Sequence, residues 1–167
     1  MREQCLCGSR QPYSDCCGSY LAGESTAPTA EALMRSRYSA FCQGNIDYLL
    51  STGDPNAAKA DERLALTRTV KHTRWLNLLI VKTQQGMPKD KTGIVEFVAA
   101  YQPVASLLSL GPAGTPSQLH EKSRFKKVNS CWRYVGGDIL LPYRPKPAQL
   151  CWCGSRKAFK HCHARAR

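Results

Sequence analysis

Acidic residues are scarce in this chain, and scarcest toward its C-terminal end. Twelve Asp and Glu stand against 24 Lys and Arg in 167 residues, a formal charge of +12. From Pro142 onward there are seven bases and no acid, and residues 119–167 hold twelve bases against Glu121 and Asp138. Such an asymmetry favours an acidic partner at that end, whether a protein face, the ribosome or nucleic acid. Long apolar runs are missing too. No stretch is long enough to span a bilayer and no secretory leader opens the chain, so membrane insertion is not expected and a cytoplasmic location is. There is no Gly-rich phosphate loop, Ser/His/Asp arrangement or metalloprotease helix, which removes the commonest catalytic classes. With 43% apolar residues, the chain can still build the core of one medium domain with small appendages.

One short pattern occurs twice, at the two ends. Cys5-Leu-Cys7-Gly8-Ser9-Arg10 is followed after five residues by Cys16-Cys17, and Cys151-Trp-Cys153-Gly154-Ser155-Arg156 after five by Cys162-His163. Without a gap the copies agree at three cysteines, Gly, Ser and Arg, and place Tyr13 opposite Phe159. Their final position differs, Cys17 against His163. Cysteine and histidine replace each other poorly in packing or disulfides but well as tetrahedral zinc ligands. Each copy therefore reads as a four-ligand site: Cys5, Cys7, Cys16 and Cys17, then Cys151, Cys153, Cys162 and His163. Zn²⁺ suits these soft donors, with Fe²⁺ the main rival. Gly8 and Gly154 supply the unusual dihedrals that a sharp turn under a metal needs. Ser9 and Ser155 are placed to donate to a thiolate. His161 aligns with Asp15 and reads as a non-ligand. Nine cysteines, an odd number in a chain read as cytoplasmic, argue against a disulfide framework. Cys42 and Cys131, outside both motifs, read as small buried hydrophobes. With metal bound, the net charge falls to about +9, because the thiolates outweigh the cations.

Between the motifs the pattern is helical, then β. Thr29 caps a helix that places Leu33, Met34, Arg37, Tyr38 and Phe41 on one side, and Gly44 ends it. Asn45 caps a short helix, Ile46 to Ser51, with Ile46, Leu49 and Leu50 inward. A third helix is expected from Asn56 to about Lys71, with Leu64, Ala65 and Val70 inward. Strands follow at Trp75–Val81, Thr92–Tyr101, Leu119–Lys127 and Cys131–Val135, the last two joined at Asn129-Ser130. In the second strand Val95, Phe97, Ala99 and Tyr101 share a face and Glu96 lies on the other. Pro103 to Pro116 reads as a long connection, and Leu141 to Pro147 as a stiff linker, since its prolines suit neither helix nor sheet. The order, three helices and then an antiparallel meander, is α+β.

Both termini resemble the SEC-C motif, Cys-x-Cys-x8-Cys-Cys/His, the zinc-binding tail of the SecA translocation ATPase, which docks on the SecB chaperone. The middle, including Leu33-Met-Arg-Ser-Arg-Tyr-Ser-Ala-Phe41, Thr73-Arg-Trp-Leu76 and Glu121-Lys-Ser-Arg-Phe125, is similar to the uncharacterised bacterial YchJ family. That resemblance implies a nuclear-transport-factor-2-like (cystatin-like) cone, helices on a curved antiparallel sheet, between two zinc knuckles. The expected division is 1–23, 24–144 and 145–167. The leading expectation is a cytoplasmic zinc-binding adaptor that docks on an acidic protein such as SecB, or on the ribosome. Two rivals stand beside it: a small-molecule binder or enzyme using the cone cavity, and an RNA binder using the basic C-terminal half. Fold analogy supplies no reaction, and an interaction role is favoured over an enzymatic one. Residues considered for the cavity are His72, Glu96, His120, Glu121, Tyr101, Arg35 and Arg37. Glu96 and Glu121 are expected to pair with Arg35 or Arg37 and fix the first helix to the sheet.

Overall fold

Thr29 and Gly44 set the limits of the longest helix, α2 (Ala30–Gln43), which follows a short helix α1 (Ser19–Leu21). The structure, a computed structural model, describes residues 3–57, 60–104 and 115–165. Thr29, in extended conformation, accepts a hydrogen bond from the Ala32 amide at 3.0 Å, and Gly44 closes the helix at φ 72°, a left-handed position that costs glycine nothing. Leu33, Met34, Arg37 and Tyr38 of α2 are buried against the sheet, while the expected Phe41 is half-buried. Asn45 caps α3 (Ile46–Ser51) through the Tyr48 amide. Of the expected inward side of α3, Leu49 is fully enclosed and Ile46 and Leu50 are half-buried.

The next helix corrects the sequence expectation. Pro55–Ala57 is a 3-10 turn, and α4 (Glu62–His72) starts well after Asn56. Leu64 and Ala65 are exposed rather than inward, and Glu62, Leu66, Thr69 and Val70 form the stripe that faces the body. Residues two apart cannot share a helical face. Of Leu64 and Leu66 only one can therefore pack, and it is Leu66.

Four antiparallel strands follow in the order β1-β2-β3-β4: β1 (Thr73–Gln85), β2 (Thr92–Pro103), β3 (Ser117–Val128) and β4 (Cys131–Ile139). Each runs past the limits read from sequence. Leu78 pairs with Ala99, Val98 with His120, and Phe125 with Tyr134. Asn129 and Ser130 form the β3–β4 turn with φ of 50° and 63°, as a tight two-residue hairpin demands. At the other hairpin Gly86 lets α2 come close: a Cβ there would lie 2.7 Å from that of Ala30, and Gly86 O accepts from the Ala30 amide. Residues 105–114 of the expected long connection lie outside the described residues.

β1 and β4 are the edges of the sheet, and α2 packs across one face. Val95, Phe97 and Ala99 are buried on that face, with Tyr101 half-buried beside them. The opposite face is not left to solvent. Val98 and Ala100 are completely buried there, under Cys151 and Trp152 of the second motif. Cys5, Cys7 and Cys17 of the first motif belong to the core on the α2 side. Both cysteine motifs are therefore layers of the fold, one on each face of the sheet. The Leu141–Pro147 segment has no regular structure. It is held to β3 by a reciprocal pair of hydrogen bonds between Gln118 and the Tyr143 backbone.

Candidate metal centres

Each motif folds as the same small loop. The Cys5 amide donates to Gln11 O at 2.8 Å and the Cys151 amide to Lys157 O at 2.8 Å. Further along, the Tyr13 amide donates to Glu3 O and the Phe159 amide to Gln149 O. Gly8 and Gly154 take φ of 76° and 82°, so the glycine read from sequence as a turn requirement is used as one. Neither could carry a side chain cheaply, since a Cβ would stand 3.1 Å from Leu78 O at Gly8 and 3.0 Å from the Asn77 Cβ at Gly154. The copies diverge only afterward. The first delivers Cys16 and Cys17 on a π-helical turn, Ser14–Gly18, and the second brings Cys162 and His163 at two 3-10 turns, Phe159–His161 and His163–Arg165.

The eight side chains singled out by spacing converge in two sets of four. Within each set the donor atoms all lie within 4.8 Å of one another. Four sulfurs on one zinc at roughly 2.3 Å would stand about 3.8 Å apart in a tetrahedron. Cys7 and Cys16 are 3.6 Å apart, Cys16 and Cys17 3.8 Å, and Cys153 and Cys162 3.7 Å. His163 presents Nδ1 at 3.2 Å from both Cys151 and Cys162, closer than the sulfurs are to each other, in the sense that shorter metal–nitrogen bonds require. His161 is exposed and stands outside the second set. All nine cysteines are free thiols.

The donor chemistry also fits a cation. Hydrogen bonds from Cys17 and Cys7 hold the Cys5 thiol far below its ordinary range. The Cys17 thiol, which gives one of those bonds, is pushed far up, and burial raises Cys16 to about 11. Four thiolates this close together would repel one another, so full thiolate ligation calls for a cation among the sulfurs. In the second set the Ser155 hydroxyl lowers Cys162, while burial raises Cys151. Ser9 and Ser155 contact the third cysteine of their own loops, Cys16 at 3.2 Å and Cys162 at 3.4 Å, as their spacing indicates.

Supports from the body are absent from the sequence reading. Ser39, wholly buried on α2, contacts Cys5 Sγ at 3.7 Å, and its hydroxyl also favours the Cys17 thiolate. Arg35 donates to Cys7 O at 2.9 Å and pairs with Glu31 one turn back. Asn77 donates its side-chain amide to Trp152 O at 3.0 Å. The only sequence signal for the first two is their four-residue spacing on one side of α2.

The expected ion pairs from Arg35 or Arg37 to Glu96 or Glu121 do not form. Arg37 is buried, donates to Leu49 O and Thr52 Oγ1, and lies 4.8 Å above the Tyr134 ring. Burial lowers its pKa to about 10. Glu121 accepts from Ser123 Oγ and Tyr134 OH. Glu96 pairs with Lys122 and Phe97 with Glu121 across β2–β3, so Glu96 lies on the face away from α2. There it meets His120 Nε2 at 3.1 Å. Arg37, Glu121 and Tyr134 line a cavity of about 240 Å³ between α2, α4 and the sheet, with Trp75, Phe97 and Leu119 as apolar wall. Of the other residues considered for it, Tyr101 packs on Trp75 and His72 is exposed at the end of α4. Cys42 and Cys131 are half-buried rather than fully enclosed, and burial raises Cys42 to about 11.

Residues 29–137 match the family described as YchJ, middle NTF2-like domain, and residues 1–19 and 148–165 each match the SEC-C motif. A UPF0225 protein of Serratia proteamaculans is 37% identical over 99% of this chain and all of its own length. A UPF0225 protein of Vibrio cholerae is 35% identical over 95% of this chain and 97% of its own. The solution structure of a SEC-C motif containing protein from Rhodopseudomonas palustris superposes with TM-score 0.69 at 30% identity, covering 83% of this chain and 99% of that one. A crystal structure of a SEC-C motif containing protein from Psychrobacter arcticus gives 0.62 at 28% identity, over 99% and 97%.

Proposed function

The chain belongs to the YchJ family, with a SEC-C motif at each end of an NTF2-like domain, and from that premise we propose that it is a zinc-dependent interaction protein of the cytoplasm. The observation that carries this reading is the convergence of two complete four-donor sets, each on a loop braced against the body. Four protein ligands leave no open position for water or substrate, so the metal supplies folding energy rather than Lewis-acid chemistry. A loop of this size buries too little to hold its shape alone. Ser9, Ser39 and Ser155 steady the sulfurs, and Asn77 and Arg35 hold the loops to the sheet and α2.

What the loops then present outward suits docking. Leu6 is 46% exposed and Leu150 58%, Leu150 borders one cleft with exposed Arg10 and Arg156, and Lys157 and Lys160 of the second loop are exposed too. An apolar residue within a basic rim fits an acidic protein surface. A SecB-like chaperone or the ribosome are the candidates that the resemblance supplies. Thiol ligands suit a reducing compartment, and among the described residues no helix is long and apolar enough to cross a membrane.

The test is elemental analysis of the native protein, together with affinity capture by wild type and by Cys153→Ser. Two equivalents of zinc and partners lost with the variant support the reading. Absence of stoichiometric transition metal ends it.

A second reading is favoured by the cavity, where buried Arg37 and half-buried Glu121 and Tyr134 line a largely apolar space. It has the dimensions for a small molecule. Native mass spectrometry of the protein incubated with a metabolite extract tests it, and a retained mass lost in Glu121→Gln would shift the assignment from adaptor to ligand binder. Nothing in the geometry favours RNA over an acidic protein. Steeply salt-dependent RNA affinity would reverse that preference.

A further inference from the structure

The two loops, at opposite ends of the sequence, face each other across the edge strand. One cleft of about 300 Å³ is lined by equivalent positions of both copies, Cys5 with Cys151, Gly8 with Gly154 and Arg10 with Arg156, and its floor is Asn77, Leu78 and Leu79 of β1. The close approaches of Gly8 to Leu78 O and of Gly154 to Asn77 fix the two walls on either side of this short stretch. β1 departs from regular pairing just before and just after it, between Trp75 and Asn77 and between Ile80 and Lys82. β1 has no strand partner on its outer side among the described residues.

Arg10 and Arg156 have a feature that packing does not account for. Both are exposed, and both are held at left-handed backbone angles, φ 64° and 60°. A non-glycine residue is disfavoured there, and glycine would adopt the same backbone freely. A backbone cost carried at two equivalent positions, with both guanidinium side chains bordering one cleft, points to a task for the side chains. The cleft lining contains no carboxylate.

We infer that this cleft is a binding site for an extended acidic peptide segment, with Arg10 and Arg156 clamping its carboxylates from opposite walls. The inference rests on the interaction reading above and assigns it a place. A guanidinium fork matches a carboxylate in two parallel hydrogen bonds, and an unpaired strand edge offers backbone groups to an extended chain. The zinc ions would act at one remove, by holding the two walls at their separation.

The experiment uses the full zinc-loaded chain, titrated with a short oligo-glutamate peptide and followed by amide chemical shifts. An oligo-glutamine peptide of equal length is the neutral control. The expected result is saturable binding of the glutamate peptide, with shifts at Asn77, Leu78 and Leu79 and at both loops, and none with glutamine. Arg10→Gly and Arg156→Gly should each weaken binding about tenfold, as loss of a charge-assisted pair implies, while melting temperature stays equal or rises because glycine relieves the backbone. That combination separates a recognition role from a structural one. Shifts confined to Leu6, Lys157 and Lys160 would overturn the cleft and leave the interaction reading standing. Unchanged peptide affinity in both glycine variants, or variants that lose zinc while keeping the peptide, would also overturn it, the latter by showing that the arginines only offset thiolate charge. Binding retained by Cys153→Ser would count instead against the zinc-dependent reading.

Discussion

Asn77 ties the edge strand to the second loop, its side-chain amide donating to the Trp152 carbonyl at 3.0 Å across 75 residues of sequence. The bond adds a polar tie between two layers that also meet through apolar contact at Val98 and Ala100. Asn77→Ala should cost about 1 kcal/mol of stability, the usual net worth of such a bond. It should also speed zinc loss from the second set while leaving the first unchanged. Dissociation into a colorimetric chelator, with Trp152 emission as the local reporter, measures both.

The two metal centres should separate on chelation. Cys5, Cys7 and Cys17 are buried in the main core, whereas Cys153, Cys162 and His163 are half-exposed. A chelator should therefore remove one equivalent of metal quickly, with amide protection lost only in the C-terminal segment. The second equivalent should leave slowly and together with global unfolding. Hydrogen exchange during chelation distinguishes this from simultaneous loss.

Ser39→Ala removes the hydroxyl that reaches the Cys5 and Cys17 pair from α2. Loss of a support of this kind typically costs about tenfold or more in metal affinity. The first site should weaken accordingly, with secondary structure preserved by circular dichroism.

The face of α4 can be tested by truncation. Leu66→Ala should cost about 1–2 kcal/mol because Leu66 lines the interior. Leu64→Ala, at a position 52% exposed, should stay within about 0.5 kcal/mol. Urea unfolding midpoints give both.

Tyr134 gives a pH signature. Burial first, and then the Glu121 charge, push its hydroxyl up to about 12 from an ordinary 10. The folded state therefore keeps a proton that the unfolded chain releases earlier. Its contribution is fully present below pH 10 and is lost as pH rises toward 12. Tyr134→Phe should be less stable than wild type at neutral pH, having lost the hydrogen bond to Glu121. That deficit should shrink in alkaline solution, as paired unfolding curves at neutral and alkaline pH would show.

Much of this was legible in the residues alone. The donor sets, the turn glycines and the serine contacts follow from local spacing, because a metal loop is defined within a few residues of itself. The caps at Thr29, Asn45 and Gly44 were readable for the same reason. What could not be read was where the loops sit. Val98 and Ala100 announce a second buried face of β2, but nothing near them in sequence says that Trp152 covers it. The alternation in β2 set Glu96 apart from Val95 and Phe97, as the structure has it, but it could not show which face α2 covers, so the expected pair with an α2 arginine failed. The α4 error arose where two leucines competed for one face and only packing could choose.

The burial of Val98 and Ala100 under Trp152 bears on how the protein is made. The central sheet is complete in sequence well before Trp152 is reached, so a chain in synthesis shows a bare apolar surface until the second loop has been made and folds over it. Chains in which the second loop stays open keep that surface bare and are the ones exposed to aggregation and to quality-control proteases.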